Sequence, residues 1–311
     1  MRWVIIGSSG YIGSALCRYL VDRGLPVLSL SRRSYGPAGC EHQQIAEYAE
    51  AGFYGVFAPG DKVVYAAGLA SIPRCRQQPE LADRLNCQLP VALLKLANEA
   101  GAESFLYFSS VKAKKVPCGK IAREEAGEPA TDPYGLSKWR AEQLLLAYPG
   151  NIRVNVLRPA AVYGEYKGKG RECQINAGDR RAFFWKARLK RLGRFLPFVP
   201  ATGYRSFVAL DDLLTAITLL EERLCNGEVF IASEPAYYDL AAISSAVSGR
   251  RIKSNRFAAA FLLSPFSVLS FLGVKTAFLD VSRGELYSSE RLRVRVGWLP
   301  RTRYDDFLRG S

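Results

Sequence analysis

Trp3-Val4-Ile5-Ile6-Gly7-Ser8-Ser9-Gly10-Tyr11-Ile12-Gly13-Ser14-Ala15-Leu16-Cys17-Arg18-Tyr19-Leu20 changes period part-way along. Up to Ile6 the residues form a short apolar, β-branched run, the pattern of a buried strand, whereas from Ala15 the pattern is helical. Three glycines lie between. Strand, glycine loop and helix in that order make a dinucleotide site. Glycine permits the tight turn and the close approach of a pyrophosphate, and the free N–H groups of the helix N-terminus face the anion. Gly7, Ser9, Gly10, Tyr11, Ile12 and Gly13 are therefore the candidate cofactor contacts. The spacing is G-x-x-G-x-x-G rather than G-x-G-x-x-G, and a plain strand-to-helix turn uses glycines too, so the loop needs support from further along the chain.

Gly24-Leu25-Pro26 breaks the helix, and Val27-Leu28-Ser29-Leu30 reads as a second strand. A fold of this kind that prefers NAD carries an acidic residue about 20 residues beyond the glycines, to bind the ribose 2′-hydroxyl. Here the turn is Ser31-Arg32-Arg33-Ser34. Two guanidiniums and no carboxylate welcome a 2′-phosphate, which favours NADP(H) over NAD(H), although a solvated basic turn has the same composition. Residues 35 to 60, interrupted by Gly36-Pro37 and Pro59-Gly60, show only a weak apolar pattern. Asp61 to Gly68 reads as another buried strand, closing in Ala66, Ala67 and Gly68, small enough for a cofactor to lie across. Phe105-Leu106-Tyr107-Phe108-Ser109-Ser110 is the next strand and delivers two hydroxyls at its carboxyl end. Strands alternating with helices predict an α/β fold, a Rossmann doubly wound parallel sheet.

In Pro133-Tyr134-Gly135-Leu136-Ser137-Lys138-Trp139 the tyrosine and lysine are four residues apart and share a helix face. A nearby ammonium can lower the pKa of a phenol from its ordinary ~10, fitting the tyrosine for acid–base work near neutrality. Tyr-x-x-x-Lys also occurs on ordinary solvated faces, so its weight comes from the company it keeps.

The 311 residues, 49% hydrophobic and 23% charged, suit a globular enzyme: a large α/β unit with an appended lobe. Seven cysteines, odd in number and without metal-type spacing, favour a reduced, cytoplasmic setting over a disulfide framework. The single histidine, His42, excludes any site needing two and reads as a surface residue; no metal is expected. A balance of 43 Lys plus Arg against 29 Asp plus Glu gives +14, which attracts phosphorylated substrates, nucleic acid or a membrane surface. The apolar run at the N-terminus is too short for a signal peptide. Phe257 to Val274 is interrupted by Ser264-Pro265, Ser267, Ser270 and Gly273, and reads as a buried or surface-docking helix rather than a membrane span.

Taken together, the glycine loop, Ser110, Tyr134 and Lys138 resemble the short-chain dehydrogenase/reductase superfamily, and more narrowly its extended branch, the NAD-dependent epimerase/dehydratase group. Tyr65-Ala66-Ala67-Gly68, Leu157-Arg158-Pro159-Ala160-Ala161-Val162-Tyr163-Gly164, Tyr204-Arg205-Ser206-Phe207-Val208-Ala209-Leu210-Asp211-Asp212-Leu213 and Gly297-Trp298-Leu299-Pro300 are similar to further segments of that group. The resemblance runs over nearly the whole chain. It implies an NADP-binding Rossmann domain over residues 1–164 and a smaller substrate-binding lobe over 165–311, with about 204–232 returning to the Rossmann core.

It also implies the roles. Tyr134 is the general acid/base, Lys138 binds the nicotinamide ribose, and Ser110, preferred to Ser109 by alignment, orients the substrate oxygen. Ser31, Arg32, Arg33, Ala66, Ala67, Gly68, Pro159 and Ala160 join the loop as cofactor contacts. Ser110, Lys112, Tyr134 and Arg205 face the substrate, Arg205 as a phosphate ligand. Val111-Lys112-Ala113 departs from the group's usual Val-Tyr-Gly continuation, which leaves a dehydratase's extra acids unmatched. Residues 35 to 60 lack the group's acidic adenine contact.

The cations from Lys167 to Arg194, interleaved with Phe183-Phe184-Trp185 and Phe195-Leu196-Pro197-Phe198, suit a nucleotide diphosphate or, with a lipid-linked sugar, peripheral membrane contact. The chain is most similar to reductases of 4-keto-6-deoxy sugar nucleotides in bacterial surface-polysaccharide pathways, for which a UDP-sugar, NADPH and a homodimer are the expectation. A nucleotide-sugar or lipid-diphosphate-sugar 4-epimerase stays open, as does a non-catalytic NADP(H)-binding regulator. Nucleic acid is not an expected partner, since no recognition module is present.

Overall fold

The computed structural model describes residues 1–166, 198–255, 257 and 283–310. Its first strand, β1 (Trp3–Ile6), is buried along its whole length. Successive strand side chains point to opposite faces, and here each face meets helices. Trp3 and Ile5 pack with Leu16 and Leu20 of helix α1 (Tyr11–Val21). Val4 and Ile6 pack with Leu93 and Leu94 of a helix on the other face. A strand sandwiched in this way must be apolar on both sides, which is why Trp3–Ile6 is continuous rather than alternating.

Strands β2 (Val27–Ser31), β3 (Glu41–Gln44), β4 (Lys62–Tyr65), β5 (Ser104–Phe108) and β6 (Arg153–Pro159) follow, with the helices α2 (Leu89–Glu99) before β5 and α3 (Pro133–Leu146) before β6. Further on come β7 (Ala161–Tyr163), β8 (Arg205–Ala209), α4 (Leu210–Glu222), β9 (Glu228–Ala232) and β10 (Tyr237–Tyr238). The central sheet has seven parallel strands in the order β9-β6-β5-β4-β1-β2-β3. The chain winds outward from β1 to β3, then crosses to β4 and winds the other way, so the carboxyl ends of β1 and β4 flank the crevice where such folds bind ligands. This is the doubly wound Rossmann-type fold.

Strand β3 lies in the stretch where the sequence shows no clear period. It is an edge strand reading Glu-His-Gln-Gln, with three of four residues exposed, so no apolar alternation marks it. His42 on this strand is half-buried, against the sequence expectation of a surface residue: its Nε2–H donates to the Arg33 carbonyl (2.9 Å) and its Nδ1 lies 2.8 Å from Ser29 Oγ.

Beyond the sheet, β8 pairs with β7 in parallel and with β10 antiparallel. The Asp211-Asp212 and Gly297-Trp298 segments meet here: Trp298 Nε1 donates to the Asp212 carbonyl (2.8 Å), while the Asp212 carboxylate accepts the backbone N–H groups of Arg301 and Thr302 (both 3.0 Å). The basic run from Lys167 to Arg194, the aromatics from Phe183 to Pro197 and the apolar run after Phe257 lie outside the described residues. Among the described residues no helix is long and apolar enough to cross a membrane.

Candidate active site

The glycine loop closes on itself without room for side chains. Gly7 has φ +93°, and a Cβ there would lie 2.7 Å from the Ala67 nitrogen; a Cβ on Gly13 would lie 2.3 Å from the Gly7 carbonyl. The first contact brings the loop onto the Ala66–Gly68 strand end, and the second seats α1 directly on the loop. Ser9, Gly10 and Tyr11 are exposed at its crest, and Ser8 Oγ is buried with no hydrogen-bond partner among the described residues. An orphaned hydroxyl, close-packed glycines and a helix N-terminus facing the sheet crevice fit a dinucleotide pyrophosphate. Tyr11 also donates from its hydroxyl to the Gly164 carbonyl, tying the loop to the end of the β7 segment.

At the end of β2, Ser31 is buried and accepts the Arg33 N–H (3.2 Å). Gln44 Nε2 donates to the Arg32 carbonyl (3.1 Å), and His42 holds the Arg33 carbonyl, so β3 fixes the turn's backbone while both arginines stay exposed. Tyr48 stacks on Phe53 with 5.9 Å between ring centroids, and its phenol reaches the Gly7 backbone beside Arg32. Sequence periodicity gives no hint of Tyr48, which follows the edge strand.

Helix α3 starts where Asp132 accepts the Gly135 N–H (3.2 Å) and Pro133 occupies the first turn, a strong N-terminal signal. That start aims Tyr134 at the carboxyl end of β5, where the Ser110 hydroxyl hydrogen-bonds its phenol. Ser109 is turned the other way: it is buried and donates to Glu142 Oε1. The two strand-end hydroxyls are thus divided, with Ser110 on the Tyr134 side.

Lys138 is buried, its Nζ donating to the Phe108 carbonyl (2.7 Å) and lying 4.6 Å from the centre of the Tyr107 ring. Burial pushes its pKa down to about 7, against the opposing pull of Glu142. The unfolded value is about 10.4. The unfolded chain therefore binds more protons between about 7 and that value, so the stability cost of burying Lys138 is fully present below about pH 7 and is relieved as pH rises through this window. Burial likewise pushes the Tyr134 phenol up, and the Ser110 hydrogen bond pulls it partly back. The sequence expectation that Lys138 lowers the Tyr134 pKa is not what prevails in this geometry, because Lys138 is itself desolvated and directed at the strand-end carbonyl. Gly68 lies close by: a Cβ on it would be 3.6 Å from Lys138 Nζ.

Several positions act here without having been assigned a role from sequence. Asn86 lies in a π-helical turn (Arg84–Gln88), accepts the Leu69 N–H (2.8 Å) and donates to Ser137 Oγ (3.1 Å); Ser137 in turn donates to the Tyr134 carbonyl (2.8 Å). Glu142, one turn beyond Lys138, forms a fully buried two-point pair with Arg158, at 2.8 Å to Nε and 2.5 Å to Nη2. The helical spacing Tyr134, Lys138, Glu142 and an arginine inside an apolar strand were the available signals. Pro159 and Ala160 are buried at the end of β6, the Ala160 N–H donating to the Ala232 carbonyl (2.9 Å). Lys112 gives its backbone N–H to Ser110 Oγ (3.2 Å), and its ammonium pairs with Glu285, as does Arg205 Nη1 (3.5 Å).

Residues 3–232 match the model of the NAD dependent epimerase/dehydratase family. The chain belongs to that family. It is an NAD(P)-dependent enzyme family of the extended short-chain dehydrogenase/reductase type, and the Ser110, Tyr134 and Lys138 cluster lies within the matched span. A UDP-glucose 4-epimerase of Azospirillum brasilense is 28% identical over 152 residues, a match spanning 46% of this chain and 43% of that protein. Among solved structures, the UDP-glucose 4-epimerase of Thermotoga maritima with UDP-glucose shares the fold at TM-score 0.71 and 19% identity, over 99% of this chain and 96% of that one. RMD of Pseudomonas aeruginosa complexed with NADPH does so at TM-score 0.67 and 19% identity, over 99% and 97%.

Proposed function

We propose that this member of the family reduces the 4-keto group of a nucleotide-linked 6-deoxy sugar, with UDP as the nucleotide and NADPH as reductant, in the synthesis of a bacterial surface polysaccharide. The observation that carries this reading is the turn after β2, where Arg32 and Arg33 are both exposed and residues 31–35 hold no carboxylate. Gly7, Ser9, Gly10, Tyr11, Ile12 and Gly13 would hold the pyrophosphate, Arg32 and Arg33 a 2′-phosphate, and Ala66 to Gly68, Lys138, Pro159 and Ala160 the remainder. When bound, the nicotinamide supplies the hydride. Ser110 orients the carbonyl oxygen, and Tyr134, whose half-buried phenol is held above its ordinary pKa and keeps its proton at neutral pH, donates that proton to it. Lys112 and Arg205 meet the substrate phosphates, which compete with Glu285 for both cations. The sugar sits in the lobe built mainly from residues 165–311.

Full-length protein given a UDP-4-keto-6-deoxy sugar should consume NADPH in proportion to product. Arg32→Asp combined with Arg33→Ala should weaken NADPH binding by roughly 10²–10⁴-fold, the loss of charge-assisted bonds worth about 1.5–3 kcal/mol for each of the two arginines, while NADH binding holds or improves. Fluorescence titration with both nucleotides checks this, and equal wild-type affinities would remove the argument for NADPH. The resemblance to UDP-glucose 4-epimerases favours a second reading, a redox-neutral 4-epimerase acting on a nucleotide or lipid-diphosphate sugar. Interconversion of UDP-hexoses without added cofactor would select it.

A further inference from the structure

Helix α5 (Leu240–Ser248) starts where Asp239 accepts the Ala242 N–H (2.7 Å) and stops at Gly249, whose φ of +69° turns the chain out of the helix. It packs beside a second helix, α6 (Tyr304–Arg309). Ala242 and Ala246, four residues apart and so on one face, join Tyr237 and Tyr238 of β10 in lining a cavity of about 580 Å³ beside the two helices. Small side chains at successive turns leave space that longer ones would fill, and the volume is one that small-molecule sites commonly have.

The same cavity is lined by four guanidiniums, Arg250, Arg251, Arg303 and Arg309, against one acid, Asp305. That acid is already engaged: it accepts the Tyr238 hydroxyl (3.1 Å) and Arg309 Nη2 (2.9 Å), with Arg303 Nε at 3.9 Å. Arg250 and Arg251 are exposed and make no ion pair among the described residues. Cations after a helix C-terminus complement its dipole, which by itself would account for Arg250 and Arg251 beyond α5. It does not account for Arg303, which stands at the N-terminus of α6, the end that disfavours a cation. Nor does it explain why two segments some fifty residues apart in sequence bring like charges to one cavity, an arrangement that an anion would relieve.

We propose that this cavity binds an organic phosphate, with the phosphate or diphosphate group held by Arg250, Arg251 and Arg303 and the carbon body resting on the two alanines and Tyr237. Planar guanidiniums take phosphate oxygens in pairs, and an aromatic ring beside small aliphatic groups offers the apolar contact. The site is additional to those of the proposed reaction. None of its lining residues belongs to the glycine loop, to the Ser110, Tyr134 and Lys138 cluster, or to the Lys112, Arg205 and Glu285 group. A soluble metabolite and a lipid headgroup present the same anion.

The test is calorimetric titration of full-length protein with inorganic pyrophosphate, with excess NADPH and NADH present to fill the glycine loop. Wild type is compared with Arg250→Gln plus Arg251→Gln, and with Arg205→Gln. Arg205 pairs with Tyr238 across the β8–β10 ladder and serves the substrate phosphates in the proposed reaction, so it controls for binding there. Affinity should fall roughly tenfold or more in the double variant and hold in Arg205→Gln. The melting temperature should stay constant, since the two exposed side chains have no ion pair to lose. Equal affinity in wild type and double variant, loss in Arg205→Gln alone, or no binding by any of the three overturns the proposal. Cosedimentation with phosphatidylcholine vesicles containing phosphatidic acid then separates the sources. Retention of wild type but not of the double variant identifies a lipid headgroup, whereas retention of neither or of both assigns the cavity to a soluble phosphate.

Discussion

Tyr134→Phe is expected to slow reduction of a UDP-4-keto-6-deoxy sugar by about 10²–10⁴-fold, the usual contribution of a positioned general acid, with NADPH affinity unchanged. The phenol is the acidic group that the fold aims at the crevice, carried there by the Asp132 cap and the Pro133 start of α3 and hydrogen-bonded by Ser110. Because burial raises its pKa, the protonated form is the resident one, and proton donation is the direction served at neutral pH. The sign follows: rate in the reductive direction should fall as pH rises through the Tyr134 pKa, and rate in the oxidative direction should rise. The pH profile of NADPH consumption by wild type and variant measures both. A variant retaining more than a tenth of the wild-type rate would mean that another group supplies the proton.

The parts of the fold legible in the sequence are those whose burial is two-sided. Trp3–Ile6 and Phe105–Phe108 are apolar at every pleat because helices cover both faces, and the glycine loop is legible because a Cβ at Gly7 or Gly13 collides with backbone. Edge strand β3 is not legible, since water replaces one neighbour and Glu41, Gln43 and Gln44 cost nothing there. At the site, the helical spacing marks Tyr134 and Lys138 as partners on one face, but spacing says nothing of desolvation. Desolvation decides which way both pKa values move, and for Lys138 it comes with the end of strand β5, whose Phe108 carbonyl and Tyr107 ring meet the ammonium. The same limit applies to Ser109 and Ser110, adjacent hydroxyls that only the pleat assigns to opposite partners. Glu285 pairs with Lys112 and Arg205 from far along the chain, a juxtaposition with no local trace.

Glu142→Ala should destabilise the protein by about 3–5 kcal/mol, the cost of leaving one member of a buried ion pair uncompensated. Arg158 is enclosed within the structure, and its guanidinium has few outlets: Nε and Nη2 go to Glu142, and Nη1 goes to the Glu124 carbonyl at 2.8 Å. Removing the carboxylate strands two donors and leaves the Ser109 hydroxyl without its acceptor. Glu142→Met with Arg158→Met should recover most of the loss, because two apolar groups of similar volume need no solvation. Urea denaturation of wild type, Glu142→Ala, Glu142→Met, Arg158→Met and the double variant gives the numbers, and additive losses from the two Met singles would mean that the pair contributes little as a pair. Glu142 also joins the two halves of the site. It lies one turn past Lys138, raises the Lys138 pKa by its charge, and pins Ser109 beside Ser110. In the double variant, where the fold is kept but the charge is gone, the Lys138 pKa should drop further below about 7. The charge that keeps the lysine protonated near neutrality is the same one that holds the catalytic strand to the catalytic helix.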